Sequence, residues 1–549
     1  MQNTIEYTGD GSVCISGHPA SKKYTGNWKA CSLNLVCLFC LYLAFSSITK
    51  NLVSYLTKVL HETNVDAARN VSTWHGTSYL APLVGAFLAD SYLGKYWAAL
   101  IFCTVFIIVS EALPLISTGP HVRLAWTDMV SCQYIIVFVG LYMVAIGYGA
   151  QNPCITSFGA DQFDHTDEEE RNRKSSFFNW RYFTLNAGSL ISGTIIVWVQ
   201  DYQGWLWGFS IAALFVVAGA CTFLLGSTVY RFQKIGASPV ARVCQVVVAA
   251  TRNFNKDLPC DLSLLYELPE QGSSIDGRKL EHTTGLEFFD KAAIVITSDC
   301  ESAILLNTWR MCTVTQVEEV KILIRMLPIW ATMVLFSTVM EQMFSTFVEQ
   351  GMVMDKRIGS FEIPAASFQS VDVITILVLV PVYERILVPV FRRFTGMENG
   401  VTPLQRMGIS LFLSMLSMVS AALVESNRLQ IAHVKGLVHR EGPQYFLIGA
   451  AEVFSIGLQE FFYEESPDDM KSICLAFSLA NYSAGNYLSS FIISLVPVFT
   501  TRGGNPGWIP DNLNEGHLDR FYWMMAALSF LNLLAFMFCA INYKSKKAS

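Results

Sequence analysis

Five ionisable side chains stand inside long apolar stretches: Glu111, Arg181, Glu341, Asp372 and Glu460. The amides Asn152, Asn186, Asn481 and Asn486 stand there too. Such groups are costly in hydrocarbon and face a cavity, a water path or a partner helix. Their types suit binding and releasing a polar solute, and a carboxylate among them can carry a proton. Glu460 stands out in FSIGLQEFFYEESP, ahead of the exit at Ser466-Pro467. Buried there, it either holds a proton or pairs with a cationic group of the solute. A structural hydrogen bond is the plain alternative. Glu341 admits both a proton-carrying and a helix-pairing role. Asp372 and Glu111 read as helix-to-helix contacts, and Arg181 as a basic chain reaching the interface. Asn186 is placed toward a cavity, while Asn481 and Asn486 read as glue between helices. The polar segments contain no P-loop, His-pair metal motif or nucleophile motif, so neither enzyme chemistry nor a metal or organic cofactor is expected. A proton is the one coupling ion these residues suit.

The elements that must position them are membrane helices. The chain has 549 residues, 52% hydrophobic and 15% charged, with mean hydropathy +0.38. Apolar runs of about 20 residues recur near 32–57, 74–90, 97–118, 133–155, 177–199 and 205–229. Six more lie near 322–346, 366–390, 405–424, 444–464, 472–499 and 521–542. Two six-span sets around about ninety mostly polar residues give the outline of an all-α major facilitator fold. Its solute site lies at the midplane between the halves. The expected division is a tail 1–31, a bundle 32–230, a central loop 231–321, a bundle 322–542 and a basic tail 543–549. The stretch Gly147–Asp164, GYGAQNPCITSFGADQFD, places Asn152 at membrane depth just before a run of acids.

The lipid bilayer is thus one expected partner, and a small molecule the other. A net charge of −6 without a basic stripe gives no sign of nucleic acid. The 14 cysteines are scattered through apolar runs, as buried thiols are, and Cys37–Cys40 reads as helix packing. Basic residues divide evenly between short loops on the two sides. The basic tails, on one side for an even span count, place that side in the cytoplasm. In the central loop, Ser238-Pro239 starts a helix whose Val240, Val243, Val246, Val247 and Ala250 share a face. That face suits either the membrane surface or the bundle. Glu267–Leu280 reads as a linker, and Asn70-Val71-Ser72 is a glycosylation sequon crowded against the next span.

Several segments resemble the plant nitrate and peptide transporter family, a branch of the proton-coupled oligopeptide transporters. They are GAFLADSYLGKYW, NPCITSFGADQFD, FFNWRYFTLNAGSLIS, WRMCTVTQVEEVKILIRMLPIWA, PQYFLIGAAEVF, EFFYEESPDDMKS and GWIPDNLNEGHLDRFYW. The N-terminal YTGDGSVCISGHPASKKYTGNWKAC resembles the di- and tripeptide subfamily. The resemblance implies twelve spans, cytoplasmic termini, a gating loop holding Asp90 and Lys95, and a cavity holding Asn186 and Glu460.

The departures from that family are informative. Its first helix carries Glu-x-x-Glu-Arg and two tyrosines, tied to proton coupling; here those positions are Leu38, Leu41, Tyr42, Phe45 and Ser46. A lysine before Pro153 is replaced by Asn152, and an aromatic in the fifth helix by Arg181. Met340 stands where nitrate-transporting relatives can carry histidine, so nitrate gains no support. Three arrangements stay open: an uncoupled facilitator, proton coupling through Glu460 with Glu341, or Arg181 as a replacement cation for Glu460. The expected function is secondary transport of small organic solutes, di- or tripeptides first. The alternatives are a facilitator or exchanger for another plant metabolite, and a transport-inactive sensor. The expected location is the plasma or the vacuolar membrane.

Overall fold

A computed structural model describes residues 7–117, 128–164, 166–233, 239–256, 258, 265–266, 280, 282–283, 285–294, 309–358, 360–396, 400–435, 443–466, 471–501 and 506–543. The first half runs α1 (Asn27–Lys58), α2 (Asn64–Leu88), α3 (Lys95–Ser117), α4 (Asp128–Ala160), α5 (Glu168–Ile191) and α6 (Trp205–Leu225). The central segment holds α7 (Pro239–Arg252). The second half opens with a broken span, α8 (Val314–Glu341) and α9 (Thr346–Met352). Another broken span follows, α10 (Ser370–Val382) and α11 (Val388–Thr395). It ends with α12 (Pro403–Lys435), α13 (Pro443–Glu465), α14 (Lys471–Thr500) and α15 (Leu518–Asn542). Arg357–Ile358 (β1) and Phe361–Glu362 (β2) form a small antiparallel hairpin. The basic tail beyond Tyr543, Ser238 and most of the Glu267–Leu280 stretch lie outside the described residues.

Among the described residues, eleven helices are long and apolar enough to cross a membrane. α2, which holds the second expected span, falls short because its first half carries Asn64, Asp66, Arg69, Asn70 and His75. Part of that polarity is turned to the other bundle. Ser72 and Thr73 meet Ser489 and Ser490 of α14 at 3.3 and 2.7 Å. Ser483 donates to the Gly76 carbonyl at 2.8 Å, and Asn64 Nδ2 to the Pro510 carbonyl at 3.0 Å. These bonds seal the bundles together on the face away from the tails, called outer below. Asn70 sits within α2 and donates to both oxygens of Glu62 at 3.1 Å, so the sequon is held in a helix.

The seventh span begins about two turns ahead of the expected 322, at Val314. Its polar start, VTQVEEVK, is helical because Thr313 and Gln316 form a reciprocal capping box. The central helix packs on that extension. Val246, Ala249 and Ala250 of α7 meet Ala292, Ala293, Cys312, Val317 and Val320. Buried Lys321 ties the same region together, 2.8 Å from Glu318 and 2.7 Å from Asp290. On the inner face the N-terminal tail clasps the first bundle: Gly9 N donates to Asp164 Oδ2 at 2.8 Å, and Val13 pairs with Phe232.

Candidate functional site

Inward of the sealed zone, charged side chains from both bundles converge. Lys50 of α1 is buried and donates from Nζ to the Ser189 carbonyl at 2.8 Å. A Cβ on Gly193 would stand 2.8 Å from that Nζ and 2.7 Å from Ser370 Oγ. The bare glycine therefore makes the room in which Lys50 reaches the start of α10. Asp372, in the first turn of α10, is buried, and its Oδ1 has no hydrogen-bond partner. A Cβ on Gly449 of α13 would lie 2.9 Å from that oxygen. Glu452, half-buried, stands three residues further along α13. Lys50, Asp372 and Glu452 interact electrostatically as a triad.

The facing wall belongs to the first bundle. Arg181 of α5 donates from Nε to Thr156 Oγ1 of α4 at 3.0 Å. It also acts electrostatically on Tyr42 and Tyr148, whose rings lie 6.4 Å apart. Asn152, one turn before Thr156, keeps an unpartnered Oδ1. Asn186 is half-buried and donates to the Tyr182 carbonyl at 2.9 Å. Tyr79 of α2 and Tyr482 of α14 stack across the bundle boundary at 5.5 Å. These side chains place Arg181 and the amides on the first bundle and the carboxylates Asp372 and Glu452 on the second.

The remaining expected residues take other places. Glu341 receives His75 Nδ1 at 2.9 and 2.8 Å, joining α8 to α2 within the sealed zone. Lys95 Nζ lies 2.5 Å from Asp161 Oδ2, with Asp90 in electrostatic reach of both. Glu460 requires a correction. It is engaged by Arg406 of α12 at 2.6 Å, and Arg406 also packs over the Tyr383 ring at 4.8 Å. Glu460 thus has its cation within its own bundle, and Arg181 is bound to Thr156 instead. The tenth-span carboxylate that meets the charged triad is Glu452.

Comparison with known proteins agrees with this architecture. Residues 96–509 match the family model described as POT family. The chain belongs to the POT family. This POT family chain is 48% identical over 567 residues to NRT1/PTR family 8.3 of Arabidopsis thaliana, covering 100% of this chain and 97% of the relative. It is 49% identical over 552 residues to NRT1/PTR family 8.5 of the same plant, covering 98% and 94%. An auto-inhibited POT family peptide transporter superposes with TM-score 0.69 at 21% identity, covering 95% of this chain and 98% of that one. A POT family transporter in complex with 5-aminolevulinic acid gives TM-score 0.64 at 14% identity, covering 98% and 99%. The fold is the major facilitator type. The POT family chain is a multi-pass membrane transporter and not an enzyme.

Within this POT family chain, sequence reasoning missed Glu452, Lys50 and His75. Glu452 was present in the quoted PQYFLIGAAEVF, nine residues into α13, and its depth was the available signal. Lys50 lies on the same helix as the first-helix departures Leu38, Leu41 and Tyr42. The structure also gives a physical reading of two departures. The family's arginine at position 42 is a tyrosine here, and its aromatic at position 181 is an arginine. Tyr42 and Arg181 act on one another across α1 and α5. By that resemblance α1 lacks a positive charge at position 42 and α5 gains one at position 181, within electrostatic reach of each other.

Proposed function

We propose that the transporter moves a small dipolar organic solute, di- or tripeptides first, by alternating access between its bundles. One observation carries this reading: opposite charges on opposing walls. Arg181 and Lys50 belong to the first bundle, and Asp372 and Glu452 to the second. A solute with an ammonium at one end and a carboxylate at the other matches both walls. Binding it places opposite charges together out of bulk water, which favours closure of the bundles around it. The structural relative holding 5-aminolevulinic acid supports the class, since that molecule carries an amine and a carboxylate. Asn152 and Asn186 add hydrogen bonds on the cationic side.

Coupling to protons is assigned to the His75–Glu341 pair. It bridges the bundles, and His75 Nε2 has no partner in this conformation. Cycling must break and remake the pair, which lets a proton enter or leave each time. The rival is an uncoupled facilitator or exchanger for another metabolite. It is favoured by Leu38 and Leu41, which bury in apolar packing where the family carries acids. Lys95–Asp161, with Asp90, is the inner gating clamp. Residence in the plasma or the vacuolar membrane is the last part of the reading, tested by a fluorescent fusion.

The deciding experiment is radiolabelled dipeptide uptake with simultaneous current recording, at acidic and neutral external pH. Uptake with inward current that grows in acid supports coupled transport. Uptake without current or pH dependence supports the facilitator. Binding without flux, from protein shown at the surface, would replace both with a sensor.

A further inference from the structure

Apart from the charged walls, α9 contains another buried carboxylate. Glu349 is fully buried, and among the described residues neither of its side-chain oxygens has a hydrogen-bond partner. Its neighbours on α9 are anchored in different bundles. Val348 lies in the apolar cluster of the first bundle with Leu52 and Leu56 of α1. Phe347 packs edge-on to Tyr445 and Tyr522 of the second, at 5.5 Å from each. Gln350 is held by Glu425 at 2.8 Å and by Gln444 at 3.3 Å. Glu349 therefore sits in the seam that closes the outer face.

The charges around that seam are engaged elsewhere. On α12, Arg428 is 2.7 Å from Glu425 and also donates to Asn514 Oδ1 at 2.5 Å and the Leu513 carbonyl at 3.0 Å. On α1, Lys58 faces Asp201 at 3.5 Å. On α2, Arg69 is 2.8 Å from Asp66. The charge that acts on Glu349 is Asp511, of the same sign, whose Oδ1 accepts from Asn64 N at 3.2 Å. Among the described residues Glu349 thus has no hydrogen bond and no cation, only a like charge nearby, and such a carboxylate does not stay ionised in a dry interface.

We propose that Glu349 is a second proton-binding site, which must be loaded from the outer medium before the outer seam can close. Water at the open seam gives a proton to the Glu349 carboxylate, the neutral acid is buried as α9 seats, and the proton returns outward on reopening. It never crosses the membrane by this route. Glu349 therefore sets how acid favours closure and adds nothing to the charge moved per solute. The proposal rests on the alternating-access reading given above, but its test needs no solute.

The test uses the full-length protein in lipid nanodiscs. Spin labels are attached through keto-bearing residues replacing His61 and Thr501, both exposed on the outer face of opposite bundles. Distances are read at about pH 5.5 and about pH 7.5. The native chain is expected to lose at least about threefold of its closed population at the higher pH. Glu349→Gln is expected to stay closed at both, changing by less than about 1.5-fold. The difference between variant and native chain reads Glu349. A full pH response in Glu349→Gln, an open seam in it at both pH values, or no response in the native chain would overturn the proposal. Should Glu349→Gln fail to fold, Glu349→Leu carries the same expectation. Failure here leaves dipeptide uptake untouched, and absent uptake leaves this pH response untouched.

Discussion

The two bundles are clamped alike at their inner ends but charged oppositely at their cavity walls. In the first, Lys95 at the start of α3 holds Asp161 just past the end of α4 at 2.5 Å. In the second, Arg406 at the start of α12 holds Glu460 near the end of α13 at 2.6 Å. The second clamp lies deeper, and Arg406 is further fixed by Tyr383 and the Val453 carbonyl at 3.3 Å. Above the clamps the likeness ends. One wall carries Arg181, Asn152 and Asn186, and the other Asp372 and Glu452. In the proposed reading the clamps act at the inner gate, whereas the unlike walls act in recognition. An acid on α13 can belong to either set, and its partner decides which.

The largest expected effect breaks the acidic wall. Glu452→Gln should cut dipeptide uptake by at least about tenfold with surface expression unchanged, because a desolvated charge contact is lost. Uptake within about twofold of native would remove Glu452 from recognition. Next comes the cationic wall. Arg181→Tyr should lose about tenfold, and adding Tyr42→Arg should recover most of it. Purely additive losses in the double variant would contradict the exchanged-charge reading. The clamps should respond more gently and equally. Glu460→Gln and Lys95→Ala should each change maximal uptake by about three- to fivefold, leaving half-saturation in place. A raised half-saturation in Glu460→Gln alone would return Glu460 to the cavity.

The smallest effect lies in the tail clasp, where Lys22 meets Asp167 at 2.9 Å. The Lys22 hydrogen bond holds the Asp167 carboxyl below its usual range. Its contribution is complete above about pH 4 and is lost as pH falls further, through the lowered value. Lys22→Ala should speed limited proteolysis of the tail by no more than about twofold near neutrality, with the difference vanishing in strong acid. A difference that grew in acid would reverse the sign of this linkage.

The all-helical membrane fold was legible because hydropathy reports membrane depth directly. It does not report facing. Glu460 looked free because its cation, Arg406, lies on another helix 54 positions away. Glu452 sat at the right depth in a quoted motif, yet nothing local marked its approach to Lys50 and Asp372. The polar start of α8 was hidden for a related reason. Its charges are satisfied by Thr283, Asp290 and Arg242 of α7 rather than by water, so it is helical without being apolar. The pairing of His75 with Glu341 needed the same long-range information.

The most direct test of the opposed walls is a binding measurement on the purified protein with one dipeptide, its N-acetylated form and its C-amidated form. The native chain should prefer the free dipeptide over each blocked form by at least about tenfold. Glu452→Gln should lose only the preference against N-acetylation, and Arg181→Tyr only that against C-amidation. Equal binding of all three forms by the native chain, or preferences that neither substitution alters, would contradict recognition by opposed charges.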